Sequence, residues 1–199
     1  MTIKTDREYR TMASPFIVAR VNKRFETEHY VEGYATTFND PYLMYEFDGV
    51  KYYEEIDARA LDDADLSDVI MQYDHAGKVL ARNGNNTLGV EIQKKGLFMF
   101  ADLSKSRAAQ DMHEEIDAGL VTKMSWCFRI REQSFDRKTH TRKILKVSKV
   151  YDVSAVSYPA NPETDISARS FFDGVIKEAN REAAARDREI LLLKIKMEV

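Results

Sequence analysis

Alternating apolar and polar side chains dominate the first half of the chain and predict a series of short β-strands. Alternation places successive side chains on opposite faces of a strand, and it recurs over residues 15–21, 29–38 and 42–56. Asp48-Gly49, in the third stretch, is a dipeptide typical of a two-residue hairpin turn. Four further strands follow after short connections, which favour antiparallel pairing. They are predicted at residues 69–73, 79–82, 87–93 and 97–103.

The spacing of apolar residues becomes helical after these strands. Ser104 is the predicted N-cap of a helix that runs to Ala118, and Gly119 is its stop signal. The apolar stripe of this helix consists of Ala108, Met112 and Ile116.

Two long strands are predicted next, at residues 121–135 and 144–158, on either side of a basic turn at residues 137–143. A solvated hairpin turn is the default interpretation of that basic run, and contact with an acidic substrate is the alternative. Two prolines end the second strand, because proline cannot donate to a β-ladder.

Alternation in the first long strand turns Met124, Trp126 and Phe128 toward the core and leaves Ser125 and Cys127 on the opposite face. A serine hydroxyl is a poor nucleophile at neutral pH. It needs an imidazole to take its proton and a third group to hold that imidazole in the right tautomer.

The second long strand carries Asp152, which alternation groups with Val150, Ser154 and Val156 on one face. A carboxylate among apolar neighbours is costly to bury without a partner. A histidine N–H is a fitting donor, and His75 follows an earlier predicted strand. The three residue types therefore suggest a dispersed triad in the chain order His, Ser, Asp, meeting at a solvent-reachable groove.

The C-terminal stretch, residues 167–197, has no proline and predicts a long helix, with apolar residues at helical spacing. At 1.5 Å per residue it would extend roughly 45 Å, which exceeds the width of a small domain. Its last turns carry more apolar side chains than one face needs, so we expect self-association or docking on a partner there. These are Ile190, Leu191, Leu192, Leu193 and Ile195.

Composition narrows the function classes. A chain of 199 residues with 44% hydrophobic and 32% charged residues suits one domain with an appended element. The formal net charge of −3, without long blocks of one sign, makes nucleic acid an unexpected partner. Cys127 is the single cysteine, which excludes an intramolecular disulfide and favours a reducing compartment. With no signal peptide and no membrane-spanning apolar run, the sequence predicts a soluble intracellular protein without a membrane partner.

The sequence also contains two weaker features, a candidate metal site and a second candidate nucleophile. His113 and Asp117 are four residues apart on the predicted helix and would face a metal ion together, although the acids between them suit an ordinary solvated face. Cys127 is an alternative nucleophile to Ser125, but nothing basic beside it in sequence marks the thiol for activation.

Three separated segments within a match of about residues 15–166 resemble the tailed-phage prohead protease family. In the first, residues 69–75 resemble the strand that ends in the family's histidine, and the continuation over residues 79–89 and 96–103 resembles its histidine loop and Gly-Leu-aromatic strand. Residues 120–128 resemble the pattern Leu-x-x-x-Ser-apolar-Gly-Phe. Residues 152–162, with Asp-Val-Ser and Pro-Ala-Asn-Pro, resemble the most specific segment, in which glutamate usually stands first.

The resemblance implies a role for each matching residue. Ser125 would be the nucleophile, His75 the general base and later acid, and Asp152 the orienting carboxylate. Cys127 stands where glycine is common in the family, and Asp152 stands where glutamate is more frequent. The loop after Asp152 is our candidate for the oxyanion hole, with N–H groups of Ala160 or Asn161, and termination of the strand is an equally open interpretation of this loop.

The implied function is that of a serine endopeptidase that cleaves capsid and scaffold proteins, and itself in some cases, inside the procapsid in the host cytoplasm. No cofactor and no metal ion is expected. The implied fold is α+β and β-dominated, a compact antiparallel β-barrel with flanking helices like that of herpesvirus assemblin. We expect a polar arm (residues 1–14), a catalytic domain (15–166) and a helical extension (167–199). The alternative function is that of a catalytically silent scaffold or assembly protein on the same fold.

Overall fold

The computed structural model describes residues 7–12, 16–21, 23–157 and 166–197, and within the last range the side chains of 171–190, 192 and 193. Strands dominate these residues, and two helices accompany them. The strands are Glu8–Met12 (β1), Tyr30–Thr37 (β2), Tyr42–Phe47 (β3), Val50–Ile56 (β4), Ile70–Tyr73 (β5), Ala76–Arg82 (β6), Leu88–Gln93 (β7), Gly96–Asp102 (β8), Lys123–Asp136 (β9) and Thr141–Val156 (β10). The helices are Arg107–Asp117 (α1) and Ile166–Met197 (α2).

The strands form two sheets. The main sheet has the order β1-β9-β10-β4-β3, and β5 joins it by pairing with β10 on one side and with β6 on the other. The second sheet has the order β2-β8-β7. Because no pairing among the described residues closes a ring, the predicted barrel is not confirmed, whereas the β-dominated class with a C-terminal helix is.

The long hairpin of β9 and β10 organises the main sheet. The two strands are antiparallel, and β10 pairs in parallel with β4 near its start and with β5 near its end. Its end therefore lies between the strand that precedes His75 and the strand that carries Ser125.

One hydrophobic cluster connects both sheets and α1. Val31 of β2 and Met99 of β8 belong to it, together with Met112 of α1 and with Trp126 and Phe128 of β9. All five are at most 6% exposed. The removal of this apolar surface from water is the main favourable term that fixes β9 in place.

The helix α1 begins two residues later than the sequence predicts. Its N-cap is Ser106, whose hydroxyl accepts from the N–H of Ala109 at 3.2 Å, and the predicted cap Ser104 instead donates its N–H to Asp102 Oδ1 at 2.9 Å. Gly119 follows the helix with a φ of +73°, the left-handed conformation expected of a helix stop.

The predicted strand at residues 15–21 is wrong over its described part, residues 16–21. Only Ile17 pairs, in one isolated bridge to Glu32 of β2. Phe16 and Val18 contact the core without forming a ladder, so their apolar alternation reflects burial rather than a strand. By contrast, the predicted hairpin around Asp48-Gly49 is confirmed by the antiparallel pairing of β3 with β4.

The C-terminal helix α2 is confirmed, and its first turns dock on the main sheet. The fully buried Phe172 packs between Tyr45 and Tyr52, with ring centroids 6.2 and 5.3 Å away. Further along, Arg137 of the β9–β10 turn binds Glu182 at 2.9 Å. Of its distal apolar residues with described side chains, three are about half exposed: Ile190, Leu192 and Leu193. Neither described helix has an apolar stretch that could span a bilayer.

Candidate active site

Three side chains from distant parts of the chain form one hydrogen-bonded row. His75 Nε2 is 2.6 Å from Ser125 Oγ, and His75 Nδ1 is 2.5 Å from Asp152 Oδ1. The three predicted site residues are therefore brought together by the fold. In this arrangement the carboxylate selects the tautomer with the proton on Nδ1, which leaves Nε2 free to accept the serine proton.

A two-residue turn holds His75. Asp74 and His75 connect β5 to β6, and both have positive φ, at 46° and 58°. Two consecutive residues with positive φ are typical of a type I′ hairpin turn, in which Asp and His are tolerated better than most residues other than glycine. The N–H of Asp74 donates to the carbonyl of Ala155 on β10 at 2.9 Å, so the turn is tied to the strand that carries Asp152.

A β-bulge in β10 aims Asp152 at the histidine. Val150 pairs with Phe128 and Asp152 pairs with Cys127, so two steps along β10 match one step along β9. Our grouping of Val150 with Asp152 on one face is therefore wrong. Val150 lies in the core, and the extra residue at Tyr151 turns Asp152 to the other side.

Ser125 lies in the middle of three strands. It pairs with Ser154 of β10 on one side and with Thr11 of β1 on the other. Its hydroxyl is also 3.0 Å from the carbonyl oxygen of Arg10. The residue is only 1% exposed, which contradicts the solvent-reachable groove expected from the sequence.

Two neighbours of the triad have no role in our sequence interpretation. The buried hydroxyl of Ser154 donates to Asp152 Oδ1 at 2.7 Å. The ring of Tyr9 contacts the ring of His75 edge-on, with centroids 4.7 Å apart. The Asp-x-Ser spacing within residues 152–154 would have pointed to Ser154, since the two share a strand face. Nothing in the sequence pairs Tyr9 with His75.

Cys127 is not suited to act as a nucleophile. Burial and the nearby charge of Asp152 raise the pKa of the thiol to about 12. A thiol with this pKa is almost entirely protonated at neutral pH, whereas the thiolate is the reactive form. Ser125 therefore remains the better candidate.

The two residues on α1 that are the alternative candidates for metal ligands, His113 and Asp117, make other contacts. His113 packs edge-on against the ring of His29, with centroids 5.1 Å apart, and Asp117 binds Arg20 at 3.6 Å. Within the described ranges, no group of three or more His, Cys, Asp or Glu side chains has an arrangement that could hold a metal ion. The oxyanion-hole candidates Ala160 and Asn161 lie outside the described residues.

Comparison with known proteins gave one match. A family model described as caudovirus prohead serine protease matches residues 17–177, which is most of the chain and includes all three triad residues. No curated protein and no solved structure matches the chain.

Proposed function

The chain belongs to the caudovirus prohead serine protease family, and we propose that it is a serine endopeptidase that cleaves capsid and scaffold proteins, and its own chain, during prohead maturation. The observation that carries the proposal is the hydrogen-bonded row of Ser125, His75 and Asp152, at 2.6 and 2.5 Å. Nucleophile, base and orienting acid are the three roles that acyl transfer to a serine requires.

The proposed mechanism proceeds through an acyl-enzyme. Ser125 Oγ attacks the peptide carbonyl carbon while His75 Nε2 accepts the hydroxyl proton. The carbon–nitrogen bond then breaks, and His75 returns the proton to the leaving amine. Water, deprotonated by the same imidazole, releases the acyl group and restores Ser125. Throughout, Asp152 stabilises the charged imidazolium through Nδ1–H.

The negative oxygen of the tetrahedral intermediate needs donors. We retain the N–H groups of Ala160 and Asn161 as the proposed oxyanion hole, because they follow Asp152 closely in sequence and stand between Pro159 and Pro162, which cannot donate to a β-ladder. Removal of one hydrogen-bond donor from an oxyanion hole typically reduces kcat about 10²-fold to 10³-fold.

The proposed partners are the major capsid protein and the scaffold segment, met inside the procapsid in the host cytoplasm. The outer part of α2 is the proposed site of self-association, because Ile190, Leu192 and Leu193 are about half exposed along one helix. Sedimentation analysis of the Leu192→Lys/Leu193→Lys variant should show a smaller species than the wild type. Equal sedimentation of both proteins would end this part of the proposal.

Co-expression with the capsid protein encoded by the same phage tests the proposed function. Wild-type enzyme should produce a new capsid N-terminus, identified by mass spectrometry, and Ser125→Ala should produce none. Ser134→Ala is the matched control, because Ser134 lies on the same strand and is exposed. Cleavage by Ser125→Ala would favour the alternative of a catalytically silent assembly protein, with a different protease responsible for the cut.

A further inference from the structure

The N-terminal strand β1 covers the candidate active site. It pairs antiparallel with β9 along the outer edge of the main sheet, so that Thr11 is opposite Ser125 and Arg10 is opposite Trp126. Extended polypeptide at the edge of a sheet is also the conformation in which many peptides bind proteins. With β1 in place, Ser125 is 1% exposed and has no open path to a second peptide.

The backbone of β1 contacts the nucleophile through the carbonyl group of Arg10. Its oxygen is 3.0 Å from Ser125 Oγ and accepts a hydrogen bond from the hydroxyl, whereas a substrate under attack presents its carbonyl carbon to the nucleophile, with the two reacting atoms roughly 3–3.5 Å apart. The hydroxyl has one proton and two acceptors within reach, because His75 Nε2 is 2.6 Å away on the other side. A proton donated to Arg10 is withheld from His75, and this contact opposes activation of the serine.

The side chain of Arg10 lies in a buried polar pocket. Its guanidinium is 2% exposed and forms a bidentate contact with the fully buried carboxylate of Glu54, at 2.5 and 2.9 Å. Tyr42 donates its hydroxyl to the same carboxylate at 2.6 Å, and Glu8 of β1 binds Arg10 as well. Planar, bidentate and buried contacts of this kind favour arginine over lysine or a neutral side chain.

The charges of the side chains that line this pocket remain balanced when β1 leaves. Glu54 also binds Arg142 of β10 at 3.1 Å. With β1 present, Arg10 and Arg142 face Glu8 and Glu54, and without it Arg142 and Glu54 still form a pair. Departure of β1 therefore leaves no lone buried charge, which would otherwise be costly.

We propose that the position of β1 along β9 is the substrate-binding position, and that the substrate is an extended polypeptide with arginine at the residue whose carbonyl meets Ser125. In this proposal β1 is an internal occupant that must leave before a capsid or scaffold chain binds, and Glu54 recognises the arginine. The proposal rests on the proposed peptidase function, which it deepens by naming the bound conformation and the side chain recognised.

A disulfide lock tests the covering role of β1. Tyr9 is directly opposite the native Cys127 in the β1–β9 ladder, and facing residues of antiparallel strands are close enough for a disulfide. In the full-length Tyr9→Cys variant, oxidation during refolding from urea, in which the Cys127 thiol is still accessible, should cross-link β1 to β9. The readout is the rate at which a fluorophosphonate labels Ser125, compared in the oxidised and reduced forms of the same protein. We expect the locked form to react at least 10-fold more slowly, and the Tyr9→Cys/Cys127→Ala variant to be unaffected by oxidation.

The outcomes separate the inference from the function. Equal labelling of the locked and reduced forms would overturn the covering role while leaving the peptidase function intact. Absence of labelling in the reduced variant and in wild type would overturn the inference, which requires β1 to leave, and absence of labelling also in Arg10→Ala, whose β1 lacks the contact with Glu54, would overturn the function. Failure of the two thiols to cross-link would contradict the β1–β9 register and overturn the inference.

Charge recognition is tested with two peptide phosphonates that differ only in the residue next to the phosphorus, arginine in one and citrulline in the other. Citrulline keeps the shape of arginine and removes its charge. Loss of a charged hydrogen bond predicts that the arginine probe reacts roughly 10-fold to 100-fold faster with Ser125. Glu54→Gln should reduce this preference, with a melting curve to verify its folding. Equal reaction of both probes with the wild type would overturn the assignment of arginine.

Discussion

At the scale of single residues, Asp152 has two hydrogen-bond partners on one oxygen. Oδ1 accepts from His75 at 2.5 Å and from the hydroxyl of Ser154 at 2.7 Å, and the residue is 5% exposed. Low exposure keeps water from competing for the carboxylate. We therefore propose Ser154 as a positioning residue for Asp152, which in the proposed triad orients His75.

Asp152→Asn is expected to lower kcat by about 10⁴-fold while the protein stays folded, because an amide favours the wrong imidazole tautomer. Ser154→Ala removes one donor and should lower kcat far less, with little change in KM. Both effects are measured with a chromogenic peptide substrate. Near-wild-type kcat in Asp152→Asn would contradict the assigned role of this carboxylate.

Cys127 should be inert toward alkylation in the folded enzyme, since burial and the charge of Asp152 raise the pKa of its thiol to about 12. At mildly alkaline pH, iodoacetamide should modify it only at the rate of unfolding, and modification should become rapid in urea. Mass spectrometry of the intact protein gives both rates. Rapid modification in native buffer, accompanied by loss of activity, would instead favour the thiol as nucleophile.

The proximity of the three candidate triad residues could be predicted from the sequence, because each lies in a segment that resembles a motif of the family. The way in which Asp152 reaches His75 could not be predicted from the sequence. Strict alternation grouped Asp152 with Val150, and only the pairing of β10 with β9 reveals the inserted residue at Tyr151. Sequence periodicity does not show a bulge, because a bulge is defined by the partner strand.

At the scale of elements, α2 is anchored by aromatic side chains at its first turns. Phe172 is fully buried, and Phe171 lies with its ring under the guanidinium of Arg142, 4.3 Å from the ring centroid. Among the later residues of the helix with described side chains, most are exposed. We therefore expect the aromatic anchor, Phe171 and Phe172, to contribute to the stability of the fold. The later turns of α2 should contribute to association with another chain.

Phe172→Ala should destabilise the protein by about 3–5 kcal/mol, the usual cost of deleting a buried phenylalanine. Phe47→Ala is a matched control, because Phe47 is 48% exposed, and its effect should be much smaller. Urea unfolding measures both. If Phe172→Ala and Phe47→Ala destabilised the protein equally, the anchoring role of Phe172 would be contradicted. A chain that ends after Ile176 lacks only the protruding part of α2 and should keep the wild-type stability and peptide cleavage.

The segment that became β1 was expected to be a polar arm, and the sequence gives no reason to place a strand there. Tyr-Arg-Thr lacks the apolar alternation that marks a half-buried strand. Its pairing depends instead on the free edge of β9 and on Glu54, which is distant in sequence. A buried ion-pair cluster between such distant residues is not visible in local patterns, whereas the hairpin of β3 and β4 is, because its turn dipeptide is local.

At the scale of the whole molecule, the buried charge cluster links stability to pH. Burial pushes the pKa of Glu8 upward, but the charges and hydrogen bonds of Arg10 and Arg142 outweigh it and hold the pKa below the ordinary 4.5. A depressed carboxylate pKa contributes stability above the unfolded value, and this stability is lost as pH falls through the folded value.

The free energy of unfolding should therefore decrease as pH falls below about 4.5, and Glu8→Gln should weaken this dependence. The measurement is the urea midpoint of both proteins at a series of pH values. Glu46→Gln serves as the control, because Glu46 is exposed. If Glu8→Gln had the same pH dependence as wild type, the cluster would not be the source of the acid sensitivity.

Covalent capture tests most directly whether Ser125, His75 and Asp152 act as one catalytic unit. Full-length protein is treated with a fluorophosphonate, and the modified residue is located by mass spectrometry. We expect a single adduct on Ser125 in the wild type and a loss of reactivity of several orders of magnitude in His75→Asn, a substitution that tolerates the left-handed turn at this position. An adduct elsewhere, or a Ser125 that reacts equally fast without the imidazole, would contradict the proposed triad.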